Sequence, residues 1–148
     1  GMLEDTIFGI IHQRETNLHY LIHLVKTVRT LERYGANIIV GRGGNYICQK
    51  PESFHMRVVC PLKKRVARIA QKENISNDKA NEKVLKKDLE RANFIRYNFN
   101  RDIANAADYD LVLNSDVFSM EEMAELVIKA YEHKTGVRYI PKETPVMV

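Results

Sequence analysis

Residues 36–47 read Ala-Asn-Ile-Ile-Val-Gly-Arg-Gly-Gly-Asn-Tyr-Ile. No polar residue alternates with Ile38–Val40, which predicts a strand that is buried on both faces. The glycines at positions 41, 43 and 44 permit a sharp turn directly after that strand. Arg42 lies in this turn, at the carboxyl end of the predicted strand, where open parallel α/β sheets bind ligands. Its guanidinium suits a phosphate or a carboxylate. The alternative interpretation is an ordinary strand-to-loop turn with a solvated arginine.

The composition predicts one globular domain over residues 1–148 with a sizeable core, since 45% of the residues are hydrophobic and 28% are charged. A net charge of +4 suits an anionic ligand but is too small to indicate nucleic acid. Cys48 and Cys60 lack metal-ligand spacing, so we expect free thiols in a reducing compartment. The sequence has no apolar stretch of membrane-spanning length and no signal-peptide pattern. We therefore expect a cytoplasmic protein with no membrane partner.

The N-terminal part is predicted to contain one long helix. Residues 3–12 are apolar and are compatible with a strand or a helix. Asn17 is placed to cap a helix that runs to about Tyr34, and Gly35 is placed to end it in a left-handed conformation. Its predicted buried stripe has helical spacing and consists of Leu18, Leu21, Ile22, Val25, Val28 and Leu31.

Two further strands are predicted, over residues 55–60 and 109–114. A final helix begins with a capping box formed by Ser119 and Glu122 and ends at Gly136. Because helices alternate with buried strands, the sequence predicts an α/β fold. We expect three layers, with a parallel sheet flanked by helices.

The segment between these two strands is predicted to form two helices. The first begins near Leu62 and is basic, and Ser76 is placed to cap the second, which runs to about Asn98. The basic residues of the first helix are Lys63, Lys64, Arg65, Arg68 and Lys72. In the second helix, Asp88 and Arg91 fall on or beside the inward stripe. We therefore expect them to be paired or to face a cleft, unless the helical phase is misassigned.

Four short motifs follow one another along the chain: Gly41-Arg42-Gly43, then Val59–Val66, then Lys87–Arg91, then Tyr109–Asn114. In this order and spacing, about residues 30–133 resemble the cytidylate kinase-like family of nucleoside monophosphate kinases. The resemblance implies an incomplete P-loop kinase-like fold. It also implies a phosphotransferase reaction in which the γ-phosphoryl group of ATP moves to CMP or dCMP.

The resemblance also implies a substrate-binding site. Arg42, with Gly41 and Gly43 around it, matches the glycine-turn arginine that holds the substrate phosphate. Asp88 matches the acidic residue that faces cytidine, and Arg91 matches an arginine that contacts the substrate and the transferring phosphates. The structural alternative is that Asp88 and Arg91 form an internal ion pair.

A lid-like helical segment is implied over about residues 62–99. Arg65 and Arg68 match lid arginines that neutralise phosphate charge, and Arg65 and Arg91 are the implied catalytic residues. Such roles agree with the chemistry, because phosphoryl transfer depends on positioning and on cationic stabilisation of oxygens. The structural alternative for Arg65 and Arg68 is a solvated helix face.

The chain departs from the family in one respect. It contains no Gly-x-x-x-x-Gly-Lys-Ser/Thr motif, and Gly41–Gly44 has neither the lysine nor the hydroxyl of such a loop. ATP and Mg²⁺ are expected from the family, but the sequence shows no residues that would hold them, and we assign no metal ligand. We therefore expect a domain that is N-terminally truncated relative to the family and inactive or incomplete as it stands.

The loss of the Walker strand implies a gap in the sheet. The segment Thr6–Ile11 is one candidate to fill it, direct pairing of the remaining strands is a second, and another chain is a third. Because unpaired inner strand edges associate readily, we expect a homo-oligomer.

Two classes of function remain open from the sequence. One is a nucleoside monophosphate kinase, and the other is a non-catalytic nucleotide-binding module or an oligomeric partner subunit. Nucleic-acid binding through the basic helix at Lys63–Lys72 is disfavoured, because no aromatic stacking platform accompanies those charges.

Overall fold

The computed structural model describes the backbone of residues 2–35, 37–138 and 140, and the side chains of these residues from Leu18 onward. The described residues form five α-helices, two strands and one 3₁₀ helix. The α-helices are α1 (Met2–Tyr34), α2 (Gly44–Ile47), α3 (Leu62–Glu73), α4 (Asn77–Phe99) and α5 (Met120–Thr135). The strands are β1 (Met56–Val59) and β2 (Leu111–Asn114), and the 3₁₀ helix is Ala106–Asp108.

The two strands pair in parallel, with Met56 opposite Leu111 and Val59 opposite Asn114. Helices α3 and α4 pack on each other and form most of the connection between these strands. The α/β class is therefore confirmed. The three-layer arrangement is not seen, because the sheet of the described residues has two strands.

The predicted strand at Ile38–Val40 is wrong. Residues 37–40 have no strand structure, and the side chains of Ile38 and Val40 are 95% and 87% exposed. Ile39 alone of the three packs inward, against the cluster of Val28, Ile47 and Cys48. An apolar run becomes a buried strand only when a neighbouring strand takes up its backbone hydrogen bonds, and neither β1 nor β2 pairs with it.

Helix α1 extends further towards the N-terminus than predicted. It begins at Met2, so Asn17 lies inside the helix and does not cap it, and residues 3–12 are helical. The segment Thr6–Ile11 therefore does not fill a place in the sheet. The predicted end is confirmed, because the helix stops at Tyr34 and Gly35 has a φ of +67°.

The predicted buried stripe of α1 is confirmed only in part. Val28 is 4% exposed, and Val25 packs against the same cluster, as does Leu24, which the predicted stripe did not include. Leu18, Ile22 and Leu31 are exposed. The stripe is apolar along its length, but burial depends on where another element lies beside the helix.

The remaining helix boundaries follow the local signals. The Ser76 hydroxyl accepts a hydrogen bond from the Lys79 N–H at the start of α4. At α5, Ser119 and Glu122 form the predicted capping box, and Gly136 ends the helix with a φ of +70°.

One polar cluster joins α5 to the start of the sheet. Lys134 Nζ donates to Asp110 Oδ2 at 2.7 Å and to the carbonyl oxygen of Ser53 at 2.6 Å. The N–H of His55 donates to the same Asp110 oxygen at 2.7 Å. Burial raises the pKa of Asp110, but these two hydrogen bonds and the nearby positive charge outweigh it, so the pKa lies below its usual value.

Several large apolar side chains of the described residues are exposed, among them Tyr34, Ile38 and Val40. Cys48 and Cys60 are free thiols, as predicted. Within the part of the chain that the structure describes, no helix is both long and apolar enough to cross a membrane.

Candidate functional site

The glycine turn places three successive residues in the left-handed region. The φ angles of Gly41, Arg42 and Gly43 are +73°, +55° and +70°. The N–H of Gly44 donates to the carbonyl oxygen of Gly41 at 3.1 Å and closes the turn, after which α2 begins. The left-handed conformation costs a residue with a Cβ atom about 1–2 kcal/mol of stability, whereas glycine adopts it freely. Arg42 is therefore strained, and the glycines on either side of it are not.

Two aromatic residues of α4 hold this turn. The Arg42 guanidinium lies over the Phe94 ring, 6.0 Å from its centroid. A Cβ atom at Gly43 would lie 2.2 Å from Phe99 Cε2, so the Phe99 ring occupies the space that any side chain at position 43 would need. Phe99 also stacks on Tyr46 of α2 at 5.4 Å and meets the Phe94 ring edge-on at 6.2 Å.

Arg65 is held at the carboxyl end of β1. Its Nε donates to the carbonyl oxygen of Cys60 at 2.9 Å. Its Nη1 donates to both carboxylate oxygens of Asp88, each at 2.8 Å. The side chains of Arg65 and Asp88 are 31% and 39% exposed, so the pair faces solvent on one side. The predicted solvated helix face therefore does not describe Arg65, whose head group is fixed between two elements.

Arg91 and Arg68 are less constrained. Arg91 Nη1 lies 3.8 Å from Asp88 Oδ1, at the limit of an ion pair, and its side chain is 66% exposed. Arg68 is exposed and has no hydrogen bond or ion pair with any described residue. The interpretation of Asp88 and Arg91 as an ion pair is thus correct in part, since Arg65 is the closer partner.

These contacts bring most of the predicted site residues to one helix. Asp88, Arg91 and Phe94 follow at intervals of three residues, so they lie within about a third of the α4 circumference and about 9 Å of its length. Arg65 joins this face through Asp88, and Arg42 joins it through Phe94. Arg42, Arg65 and Arg91 are thus joined by contacts to a face that carries the carboxylate of Asp88, and this excess of positive charge favours a ligand with negative charge.

The sequence did not single out Phe94 as a site residue. Phe99 falls on the predicted inward stripe of α4, but Phe94 lies beside it. Nothing in the local sequence indicates that residue 94 meets residue 42, because the contact joins elements far apart in the chain.

A polar cluster behind the turn was also missed. The Tyr46 hydroxyl donates to Asp108 Oδ2 at 3.1 Å. Burial is the main cause that raises the pKa of Tyr46 to about 12, and the hydrogen bond to Asp108 adds to it. Tyr46 therefore stays neutral and ties α2 to the 3₁₀ helix before β2. Nearby on β1, the Arg57 guanidinium lies 5.8 Å from the Tyr109 ring centroid.

Comparison with known proteins gives the family. Residues 4–117 match the sequence model of the cytidylate kinase-like family. The chain belongs to this family. Over 98 residues it is 28% identical to the cytidylate kinase of Sulfolobus acidocaldarius, and the aligned region makes up 66% of this chain and 53% of that protein. Over 107 residues it is 28% identical to the uronate isomerase of Corynebacterium glutamicum, and the aligned region makes up 70% of this chain and 21% of that protein.

This cytidylate kinase-like chain thus spans about half, or less, of the length of these relatives. No solved structure matches it. The family match covers the glycine turn, both strands and the whole of α3 and α4.

Members of the cytidylate kinase-like family generally use ATP and Mg²⁺, and the described residues do not fit this pair. The turn at Gly41–Gly44 offers neither an ammonium group nor a hydroxyl to the β- and γ-phosphates. Within the described residues, no group of three His, Cys, Asp or Glu side chains gathers to hold a metal ion. We therefore derive no step through MgATP.

Proposed function

We propose that this cytidylate kinase-like protein binds a nucleoside monophosphate, CMP or dCMP, without transferring a phosphoryl group by itself. The observation that carries the proposal is the arginine-rich face of α4, where Arg65 and Arg91 flank Asp88 and Arg42 lies one to two helical turns further on. At Gly41, where a Cβ atom would meet nothing within 4 Å, the backbone beside Arg42 is open to a ligand. The family membership supports a monophosphate as the anion.

Within this proposal, Arg42 and Arg91 bind the phosphate. The side chains of both are exposed, and neither is held in a short hydrogen bond by a described residue. A phosphate dianion accepts parallel N–H···O bonds from a guanidinium, and charged bonds of this kind are the stronger class.

Asp88 faces the cytosine base in this proposal, although it already accepts from Arg65. An ionised carboxylate has about four acceptor positions. Arg65 Nη1 takes one position on each oxygen, so an amino group of the base still has an acceptor. Arg65 also fixes the direction of the carboxylate, which favours selection of a base with a donor at that edge.

The helices α3 and α4 form the proposed lid-like segment, with Arg65 and Arg68 as its arginines. Arg68 has no partner among the described residues and is one helical turn beyond Arg65 on α3. In a complete kinase, arginines at these positions and at Arg91 would stabilise charge on transferring phosphates. Here the proposal assigns them binding alone.

Calorimetric titration with CMP, and separately with ATP and magnesium, tests this function. We expect CMP to bind and ATP to give no heat. Arg42→Ala and Arg91→Ala should each weaken CMP binding about tenfold or more, since each removes a charged hydrogen bond of about 1.5–3 kcal/mol. The control is Lys72→Ala, which removes one positive charge from the last turn of α3 and should leave affinity unchanged. Unchanged CMP affinity in Arg42→Ala would refute the site.

A second candidate function is an oligomeric partner subunit, and the exposed surface favours it. The segment that follows α1 exposes two large apolar side chains two positions apart, and exposed apolar surface of this kind is typical of interaction sites. Among the described residues, Ile38 and Val40 are the most exposed of the large apolar side chains. We propose that a second copy of this chain covers them.

Light scattering after gel filtration tests the second candidate. We expect a dimer or a larger assembly that Ile38→Lys with Val40→Lys converts to a monomer. A monodisperse and stable wild-type monomer would count against it.

The free thiols Cys48 and Cys60 support a reducing, cytoplasmic location for the protein.

A further inference from the structure

The backbone at Arg42 gives the first observation. Arg42 is a non-glycine residue in a run of three left-handed residues, flanked by two glycines that adopt this conformation freely. Strained residues of this kind concentrate at ligand clamps, where the surrounding structure holds them in place. A glycine at position 42 would relieve the strain, so the arginine side chain has a reason to be there.

The surroundings of the side chain give the second observation. Arg42 has no hydrogen bond and no ion pair with any described residue. Its guanidinium lies over the Phe94 ring, 6.0 Å from the centroid. A flexible exposed arginine samples many rotamers, and an aromatic face that attracts its cation narrows them.

The Phe94 ring is itself held in place. Its neighbour Phe99 meets it edge-on at 6.2 Å, fills the space beside Gly43 and stacks on Tyr46. The ring that contacts the Arg42 guanidinium therefore belongs to a packed aromatic group that also fixes the backbone of the turn.

The contact leaves the guanidinium able to bind an anionic ligand. A cation about 6 Å from a ring centroid is attracted to the ring without a hydrogen bond, so the contact with Phe94 uses none of the five N–H donors of Arg42. Arg42 can thus hold a phosphate with two parallel hydrogen bonds while it remains beside the ring.

We infer that Phe94 is a positioning residue that orients Arg42 towards the phosphate of a nucleoside monophosphate. This inference rests on the proposed function. Phe94 does not touch the ligand in this arrangement. It acts through Arg42, by holding the guanidinium in the orientation that the ligand needs.

Calorimetric titration with CMP tests the inference on four variants of the full chain. Phe94→Leu keeps an apolar side chain but removes the aromatic face, whereas Phe94→Trp and Phe94→Tyr keep that face. We expect Phe94→Leu to weaken CMP binding about fivefold and the two aromatic variants to retain it. The fourth variant combines Phe94→Leu with Arg42→Ala, and we expect it to bind as weakly as Arg42→Ala alone.

The outcomes separate this inference from the proposed function. If wild type does not bind CMP, or Arg42→Ala binds as wild type does, the proposed function fails and the inference fails with it. If Arg42→Ala loses affinity while Phe94→Leu does not, or if the two effects add in the double variant, only the inference is overturned.

A measurement without ligand tests the inference even if Phe94→Leu does not fold. The Arg42 Nε–H resonance of wild type should show the ring-current shift of a proton near an aromatic face, and Phe94→Tyr should keep it. A random-coil shift in wild type would overturn the inference. Equal melting temperatures for the aromatic variants and wild type would confirm that any affinity change does not come from unfolding.

Discussion

Arg65 Nη1 donates to both carboxylate oxygens of Asp88 at 2.8 Å, and this contact joins the start of α3 to the middle of α4. Arg65 also donates from Nε to the carbonyl oxygen of Cys60, which follows β1. The residue pair thus connects three elements at the edge of the sheet where the candidate ligand site lies.

The Arg65–Asp88 pair should contribute modestly to stability. Both side chains are about a third exposed, so solvent screens their attraction. We expect a coupling of about 0.5–1 kcal/mol between Arg65→Ala and Asp88→Ala in a double-mutant cycle by chemical denaturation. High salt should reduce it. The same cycle on Lys87 and Glu90, an exposed pair on α4, should give a smaller value. A coupling of zero for Arg65 and Asp88 would show that the contact does not fix the two helices.

Strain at Arg42 predicts a difference between two substitutions. Arg42→Gly and Arg42→Ala both remove the contact with Phe94, but only glycine relieves the left-handed backbone. Glycine removes the cost of the left-handed backbone, but it also raises the entropy of the unfolded chain and so loses part of this gain. We therefore expect Arg42→Gly to be more stable than Arg42→Ala by about 0.5–1 kcal/mol. Thermal unfolding measures the difference, and both variants should lose CMP affinity. Equal stability of the two would contradict the strained conformation.

Two glycines of the turn should differ in their tolerance of alanine. Gly41 and Gly43 have similar φ angles, but a Cβ atom meets nothing within 4 Å at position 41 and lies 2.2 Å from Phe99 at position 43. Gly41→Ala should therefore cost about 1 kcal/mol for the backbone alone. Gly43→Ala should cost about 2–4 kcal/mol, because the Phe99 ring must also move. Denaturant unfolding compares them, and equal losses would show that Phe99 does not pack against the turn.

Asp110 should make stability fall in acid. Burial raises the pKa of Asp110, but hydrogen bonds from Lys134 and His55 outweigh it, so the pKa in the folded chain lies below its usual value. The folded state therefore favours the ionised form. The stabilisation is complete at pH values above the unfolded-state pKa and is lost as the pH falls through the lower folded-state pKa.

Thermal unfolding from pH 7 down to pH 2 checks this expectation. Asp110→Asn removes the titration at this site, so its stability should decrease less over the acid range than that of wild type. Lys134→Met should show the same reduced dependence, since it removes the main partner of the carboxylate. Parallel pH profiles for wild type and Asp110→Asn would contradict the assignment.

Part of this protein is determined locally and can be predicted from its sequence. The ends of α1 and α5 follow from Gly35 and Gly136, because a glycine adopts the left-handed cap without steric cost. The starts of α4 and α5 follow from Ser76 and Ser119, whose hydroxyls satisfy free backbone N–H groups within one turn. The family could also be predicted from the sequence, because the order of the short motifs can be identified without knowledge of contacts between distant residues.

The tertiary structure decided the rest. Ile38 and Val40 are exposed because no strand lies beside them, although their own sequence favours a buried strand. Arg65 pairs with Asp88, and the Arg42 guanidinium lies over the Phe94 ring, through contacts between residues 23 and 52 positions apart. Local propensity acts over a few residues, whereas burial, ion pairing and aromatic contact depend on which elements the whole chain brings together. The sequence by itself therefore determined the family and the helix ends that a local cap sets, whereas the packing against α4 decided which arginines are held in place and how.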